Sequence, residues 1–262
     1  MKIKIAVDDG HGIDTQGKRT PDGYKENEFN HFTKEFLIAE LIRNGFEIVD
    51  CSPTRQDNSL ENRVEIANNS NANIFISIHF NALNGVWGDW GGIETYCYNF
   101  GYESEKIARM VHKYLLQGTK LKDRGVKTAN FYVLKYTKMP AILCECGFMD
   151  NKKEAELMKS DSYRKECSIE ICKGICEYYK KPYIAEIKNT GFQLTKEAEN
   201  ILNNINITKY GSVWIDFIKK HPEVNLSGLI ENLYFYDEYK SKYLNLIDSI
   251  KKIFNDLSKI IN

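Results

Sequence analysis

Short apolar runs alternate with longer stretches in which apolar residues recur every three or four positions, and this rhythm fills the first 180 residues. KIKIAV (2–7) predicts a strand. ENEFNHFTKEFLIAELIRNG (26–45) predicts a helix, with Phe29, Phe32, Phe36, Leu37, Leu41 and Ile42 near helical period and a glycine to close it. FEIVDC (46–51) is a second strand, and SLENRVEIANNS (59–70) is a helix opened by Ser59. IFISIH (74–79) is β-branched and aromatic, as a strand buried on both faces prefers. A loop rich in Gly and Trp (83–92) leads to IETYCYN, and a helix covers 102–117. FYVL and AILCEC predict strands, and 162–179 predicts a further helix. Such alternation implies an α/β fold, a twisted and mostly parallel sheet covered by helices.

The pattern changes near KKPY (180–183), after which strand signals fade. Leu229, Leu233, Tyr236, Tyr243, Ile247, Ile250, Phe254, Leu257 and Ile261 then follow alternating spacings of four and three, interrupted only by Lys240. That is a heptad seam, which suits packing within the chain and self-association equally. The expected organisation is a main domain over 1–180, a linker over 181–191 and a small all-α C-terminal module over 192–262. A homo-oligomer through the C-terminal helices is one of the two outcomes.

Charge narrows the partners. Lys plus Arg and Asp plus Glu are both 36, so the formal net charge is zero, and nothing favours nucleic acid or an anionic membrane. No apolar run approaches the roughly 18 residues of a membrane span. The N-terminus MKIKIAVDDGHG lacks a signal-like apolar core, so synthesis in the cytoplasm is expected. Seven cysteines make a disulfide framework a poor fit. Cys172 and Cys176 share a helix face and suit the core, while the Cys144–Cys146 spacing is too short for a zinc knuckle.

Candidate chemistry gathers where strands end. KIKIAVDDG leads to His11, IFISI to His79 and MPAILC to Glu145, with Glu26 just before a helix. In open α/β sheets, sites form outside the carboxyl ends of strands, where loops converge. Two imidazoles and a carboxylate suit a catalytic zinc with its fourth position open, and a further carboxylate held off the metal suits a proton acceptor. A metal-free alternative has a histidine base oriented by Asp8 or Asp9, but no GxSxG-type nucleophile turn accompanies it.

Five segments in order, DDGHG (8–12), GYKENEFN (23–30), SPTRQDNSLENR (52–63), ANIFISIHFNA (72–82) and MPAILCECGFMDN (139–151), resemble the zinc-dependent N-acetylmuramoyl-L-alanine amidases of the amidase-3 family. RGVKTANFYVLKYT (124–137) fits the same family, and the likeness stops near residue 180. It implies Zn²⁺ on His11, Glu26 and His79, with Glu145 as the catalytic carboxylate. The Glu-x-x-x-Asn spacing to Asn30 favours Glu26 over Glu28. Asp9 stands where the family usually has Pro. His31 and His112 are expected to be exposed or structural, and Arg55, Asp57 and Arg63 suit ion pairs or caps as well as substrate. Asn81 is a candidate substrate contact or loop-orienting group, and Trp87 and Trp90 are candidate stacking platforms. The implied substrate is bacterial peptidoglycan, cut between N-acetylmuramic acid and L-alanine by a phage endolysin or an autolysin released at lysis; on the endolysin reading the C-terminal module would bind the cell wall or oligomerise. The rivals are a zinc peptidase or carboxypeptidase acting on the stem peptide, and a non-catalytic wall-binding protein.

Overall fold

A computed structural model of the chain describes residues 2–15 and 17–186. The predicted C-terminal module, its heptad seam and the linker from residue 187 lie outside the described residues. Met1–Ala185 form one compact unit. Its elements run β1 (Lys4–Asp9), α1 (Glu26–Arg43), β2 (Glu47–Asp50), α2 (Leu60–Asn69), β3 (Ile74–Asn81), β4 (Ile93–Cys97), α3 (Glu103–Thr119), β5 (Asp123–Thr128), α4 (Tyr132–Tyr136), β6 (Ala141–Phe148), α5 (Lys152–Met158) and α6 (Asp161–Tyr178). No helix among the described residues is long and apolar enough to cross a membrane.

The six strands lie in the order β2-β1-β3-β6-β4-β5. β2, β1, β3 and β6 are parallel, β4 is antiparallel to β6, and β5 is parallel to β4. The chain leaves β1 toward β2, then returns across it to β3. That reversal opens a crevice beside the carboxyl ends of β1 and β3, where ligands settle in such sheets.

Strand side chains alternate between the two faces. One series, Ile5 and Val7, Ile74, Ile76, Ile78 and Phe80, Ile142 and Cys144, packs beneath α1, α3 and α6 in a large apolar cluster. The alternate series begins apolar, with Ala6, Phe75 and Leu143 against Val64 and Ala67 of α2 and Val133 and Leu134 of α4. It then turns polar along the same strands, at Asp8, Ser77, His79 and Glu145. The shorter helices α2 and α4 cover the apolar half, and the polar half borders the cavity.

Several boundaries differ from the sequence expectation. β3 and β6 continue through His79 and Glu145, which are register partners inside the sheet. A register shift after this pair, at Gly147 with φ 120°, ends the regular ladder. FYVL is not a strand. Phe131 has extended backbone and caps α4, its carbonyl taking the N–H groups of Leu134 and Lys135. A four-residue apolar run does not distinguish the two periods. The strand in that region is β5, an edge strand without a fully buried residue and hence without an apolar signature. Helix α5 also escaped the pattern; Asn151 opens it by accepting from the N–H groups of Lys153 and Glu154. The Ser59 cap and the Gly45 terminator (φ 76°) stand as predicted.

Candidate metal centre and active site

His11 follows β1 in a conformation that side chains rarely adopt, φ 66°. Such a residue persists only where its surroundings over-determine it. Here every carbonyl from Asp9 to His11 is held by a side chain. The Arg63 guanidinium donates to the carbonyls of Asp9 and His11, Asn30 Nδ2 donates to Gly10 (2.8 Å), and Asn27 Nδ2 donates to His11 (3.1 Å). Arg63 is itself buried, paired with Asp8 at 2.6 Å, and Asp8 accepts a second bond from Ser77 Oγ at 2.7 Å. Of the two roles the sequence left open for Arg63, the structure shows the ion pair. Gly10 is needed for space: a Cβ there would lie 1.9 Å from His79 Cε1.

Glu26, the first residue of α1, is buried between the two imidazoles. Its Oε1 lies 2.8 Å from His79 Nδ1, and its Oε2 lies 3.2 Å from His11 Nε2. Burial alone would raise its pKa, but the bonds to His11 and His79 outweigh it and hold the carboxyl far below the usual range. Asn30, one helical turn on, donates to Glu26 Oε1 at 3.3 Å, giving a physical reason for the Glu-x-x-x-Asn spacing. His11, Glu26 and His79 each bring a ligand atom within 4.8 Å of the others, the one such group of three found among the described residues. Two imidazoles and a carboxylate on rigid elements are a donor set suited to a divalent metal such as zinc.

Glu145 is buried beside His79 on the neighbouring strand, and its Oε2 has no hydrogen-bond partner. Burial pushes its pKa up to about 8, with Glu26 and Glu94 adding to the rise and His79 and Lys18 opposing it. Buried carboxylate oxygens are ordinarily bonded, so an orphan that lines a cavity marks a group kept available. The cavity measures about 520 Å³ and also exposes His11, Glu26, His79 and Lys18, with Leu60, Phe131 and Tyr132 as its apolar wall.

The structure thus brings His11, Glu26, His79 and Glu145 together, and separates the other candidates from them. Asn81 is buried and outside the cavity lining. Its amide donates to Glu94 Oε2 (3.0 Å), and its Oδ1 accepts from Lys18 and from the backbone N–H of Ala82. Trp87 and Trp90 do not line the cavity either. Trp90 gives its indole N–H to Asp150 (2.7 Å), whose other oxygen accepts the N–H groups of residues 83–85, so this ring anchors the loop. His31 and His112 are structural rather than exposed: His31 meets Asp9 at 2.9 Å, and buried His112 bonds Thr95 and Asp123. The metal-free alternative had Asp8 or Asp9 orient the histidine base; Asp8 is taken by Arg63 and Ser77, and Asp9 bonds neither His11 nor His79. It serves His31 and lies 3.5 Å from buried Lys34, which also binds Asp50. Sequence reasoning passed over Lys18, an ordinary surface lysine in a loop, and left Arg63 undecided. An arginine beside Val64 on the inward face of α2 was the available signal for the latter.

Residues 5–177 match the N-acetylmuramoyl-L-alanine amidase family. The N-acetylmuramoyl-L-alanine amidase CwlM of Bacillus licheniformis is 35% identical over 165 residues, spanning 62% of this chain and 62% of that protein. The endolysin of Bacillus phage SPP1 is 32% identical, over 68% of this chain and 66% of that one. Among solved structures, the catalytic domain of CwlV, an N-acetylmuramoyl-L-alanine amidase from Bacillus (Paenibacillus) polymyxa var. colistinus, aligns with a TM-score of 0.65 at 32% identity, covering 70% of this chain and all of that one. These likenesses agree with the ordered motifs and with the mixed, mostly parallel sheet. The chain belongs to the N-acetylmuramoyl-L-alanine amidase family, hydrolases of an amide bond in the bacterial cell wall.

Proposed function

We propose that His11, Glu26 and His79 hold a zinc ion and that Glu145 is the proton-transfer residue of an amidase that detaches stem peptides from peptidoglycan glycan. The observation that carries this is the orphan Glu145 Oε2 beside three ligand atoms within 4.8 Å of one another. Zinc in such a donor set supplies Lewis acidity to the amide carbonyl and makes water acidic enough to attack near neutral pH. Glu145 Oε2 accepts the proton of the attacking water and returns it to the alanine nitrogen as the C–N bond breaks. The products are the free lactyl carboxyl of N-acetylmuramic acid and a peptide beginning with the L-alanine amine. Gly10 lets the His79 ring approach the backbone closely, and the clamp on residues 9–11 fixes His11. Both histidines are therefore positioned before any ligand arrives.

The biological setting we propose is that of an endolysin, supported by the likeness to the phage SPP1 endolysin. The test is digestion of purified cell wall followed by mass spectrometry, with zinc measured on the same sample. Peptides with new N-terminal alanine, one zinc per chain and loss of cleavage on chelation are expected. New amino termini inside the stem would replace the amidase reading with the peptidase one.

A further inference from the structure

Two side chains with lasting positive charge line the cavity, Arg63 and Lys18. Arg63 is buried and committed to Asp8 and to the backbone clamp. Lys18 is exposed, and among the described residues its ammonium has one hydrogen-bond partner, the neutral Asn81 Oδ1, while its charge also reaches Glu145. An ammonium has three donors, so two remain for something else.

The structure fixes where that ammonium sits. The Lys18 carbonyl accepts the backbone N–H of Glu26 at 3.0 Å, which ties the base of the side chain to the proposed metal centre. Its tip is held at Asn81, two residues beyond His79 on the same strand, about 6–7 Å along β3. The Asn81 amide is oriented from behind, because its Nδ2 donates to Glu94 Oε2 and so turns its oxygen toward Lys18. Glu94 cannot neutralise Lys18, since it already binds Arg124 (2.7 Å), Lys127 (2.6 Å) and the Tyr96 hydroxyl (2.6 Å). Lys18 lines the cavity together with Glu145, and its ammonium keeps donors for a further acceptor.

We propose that Lys18 is a receptor for a substrate carboxylate one residue beyond the released alanine, so that the chain prefers stems whose second residue is an acid over those carrying a carboxamide there. The inference rests on the amidase reading above. In a stem joined through the side-chain carboxyl of a second-position glutamate, the free α-carboxyl lies five bonds from the scissile nitrogen, about 6 Å in an extended peptide. Lys18 lines the same cavity as His79 and Glu145, and its partner Asn81 follows His79 by two residues on β3. Charge, rather than shape, makes the distinction, because acid and amide are nearly isosteric.

The experiment compares muramoyl-L-alanyl-D-glutamate with muramoyl-L-alanyl-D-isoglutamine on the zinc-loaded full chain. The expected kcat/KM ratio favours the acid by on the order of tenfold at low salt, mostly through KM, and shrinks as salt is added. Lys18→Gln brings the ratio to about one, and Lys18→Arg restores part of it. A native ratio of one, or equal losses on both substrates in Lys18→Gln, overturns the proposal; equal losses would mean that Lys18 serves the chemistry instead. The same ratio measured as Kd on the Glu145→Gln chain separates the two readings. Discrimination in binding without cleavage by the native chain keeps the receptor and removes the amidase chemistry.

Discussion

The two faces of the sheet use the same strands for opposite ends. Under α1, α3 and α6, every second residue of β3 and β6 is apolar along the strand, and in β1 the series Ile5, Val7 ends in Asp9, which His31 and Lys34 of α1 bind. On the opposite face, the intervening residues are apolar only as far as α2 and α4 cover them, then become Asp8, Ser77, His79 and Glu145. Stability is concentrated where cover is complete, and reactivity where it stops. Period-two alternation makes this division cheap, since neighbouring residues of one strand can serve separate functions without sharing an environment.

Breaking that division should give opposite results on the two sides. The largest effect belongs to Glu145→Ala. We expect cleavage of cell wall to fall by at least about 10³-fold, with zinc content unchanged and the melting temperature not lowered, because the lost carboxylate oxygen has no partner. A variant that keeps activity would refute the role of Glu145. Next comes Ile76→Ala on the sealed face. Ile76 lies between Val7 and Ile142 in the register and is wholly buried, so its truncation should cost about 2–5 kcal/mol in urea unfolding. Zinc affinity of the folded fraction should stay as it was, and a parallel loss would show that the faces are coupled.

An effect of at most comparable size concerns pH and the metal-free chain. Glu145 is raised from an ordinary 4.5 to about 8, so the folded state keeps a proton there that the unfolded state releases. Its contribution to stability is complete below about pH 4.5 and is lost as pH rises through about 8, with a slope of at most about 1.4 kcal/mol per pH unit. Chelator-treated protein should therefore melt lower at pH 8.5 than at pH 5, and Glu145→Gln should lack this component. An identical pH dependence in the two proteins would mean that another group sets the slope.

The sheet and the centre were legible in the sequence for one reason: His79 and Glu145 interrupt otherwise apolar strands, where a polar residue needs explaining. Elements whose identity depends on distant partners were harder. Tyr132–Tyr136 is helical because of where Phe131 turns the chain, and β5 is an edge strand with little to bury. Trp90 looked like a binding platform, but its indole N–H is engaged by Asp150, sixty residues away. Lys18 was invisible because its location comes from a backbone bond to Glu26 and a side-chain bond to Asn81, neither of which has a sequence signature. Asp9, in place of the family's usual proline, is accommodated by His31 and Lys34 rather than by the loop alone.

All seven cysteines are buried and unpaired. Thiolates are softer ligands than imidazole or carboxylate, and an accessible thiol would compete with the His11, Glu26 and His79 set for a borderline metal. Burial pushes the thiols of Cys51, Cys97 and Cys144 up, which disfavours the ionised form that a metal or an oxidant would attack. Packing thus acts as a filter on ion capture: among the described residues one open set of three donors awaits an arriving cation, while the seven sulfur atoms stay out of reach. A locally unfolded chain would lose that selectivity before it lost its secondary structure, so the order in which metal and fold are assembled matters to the yield of active protein.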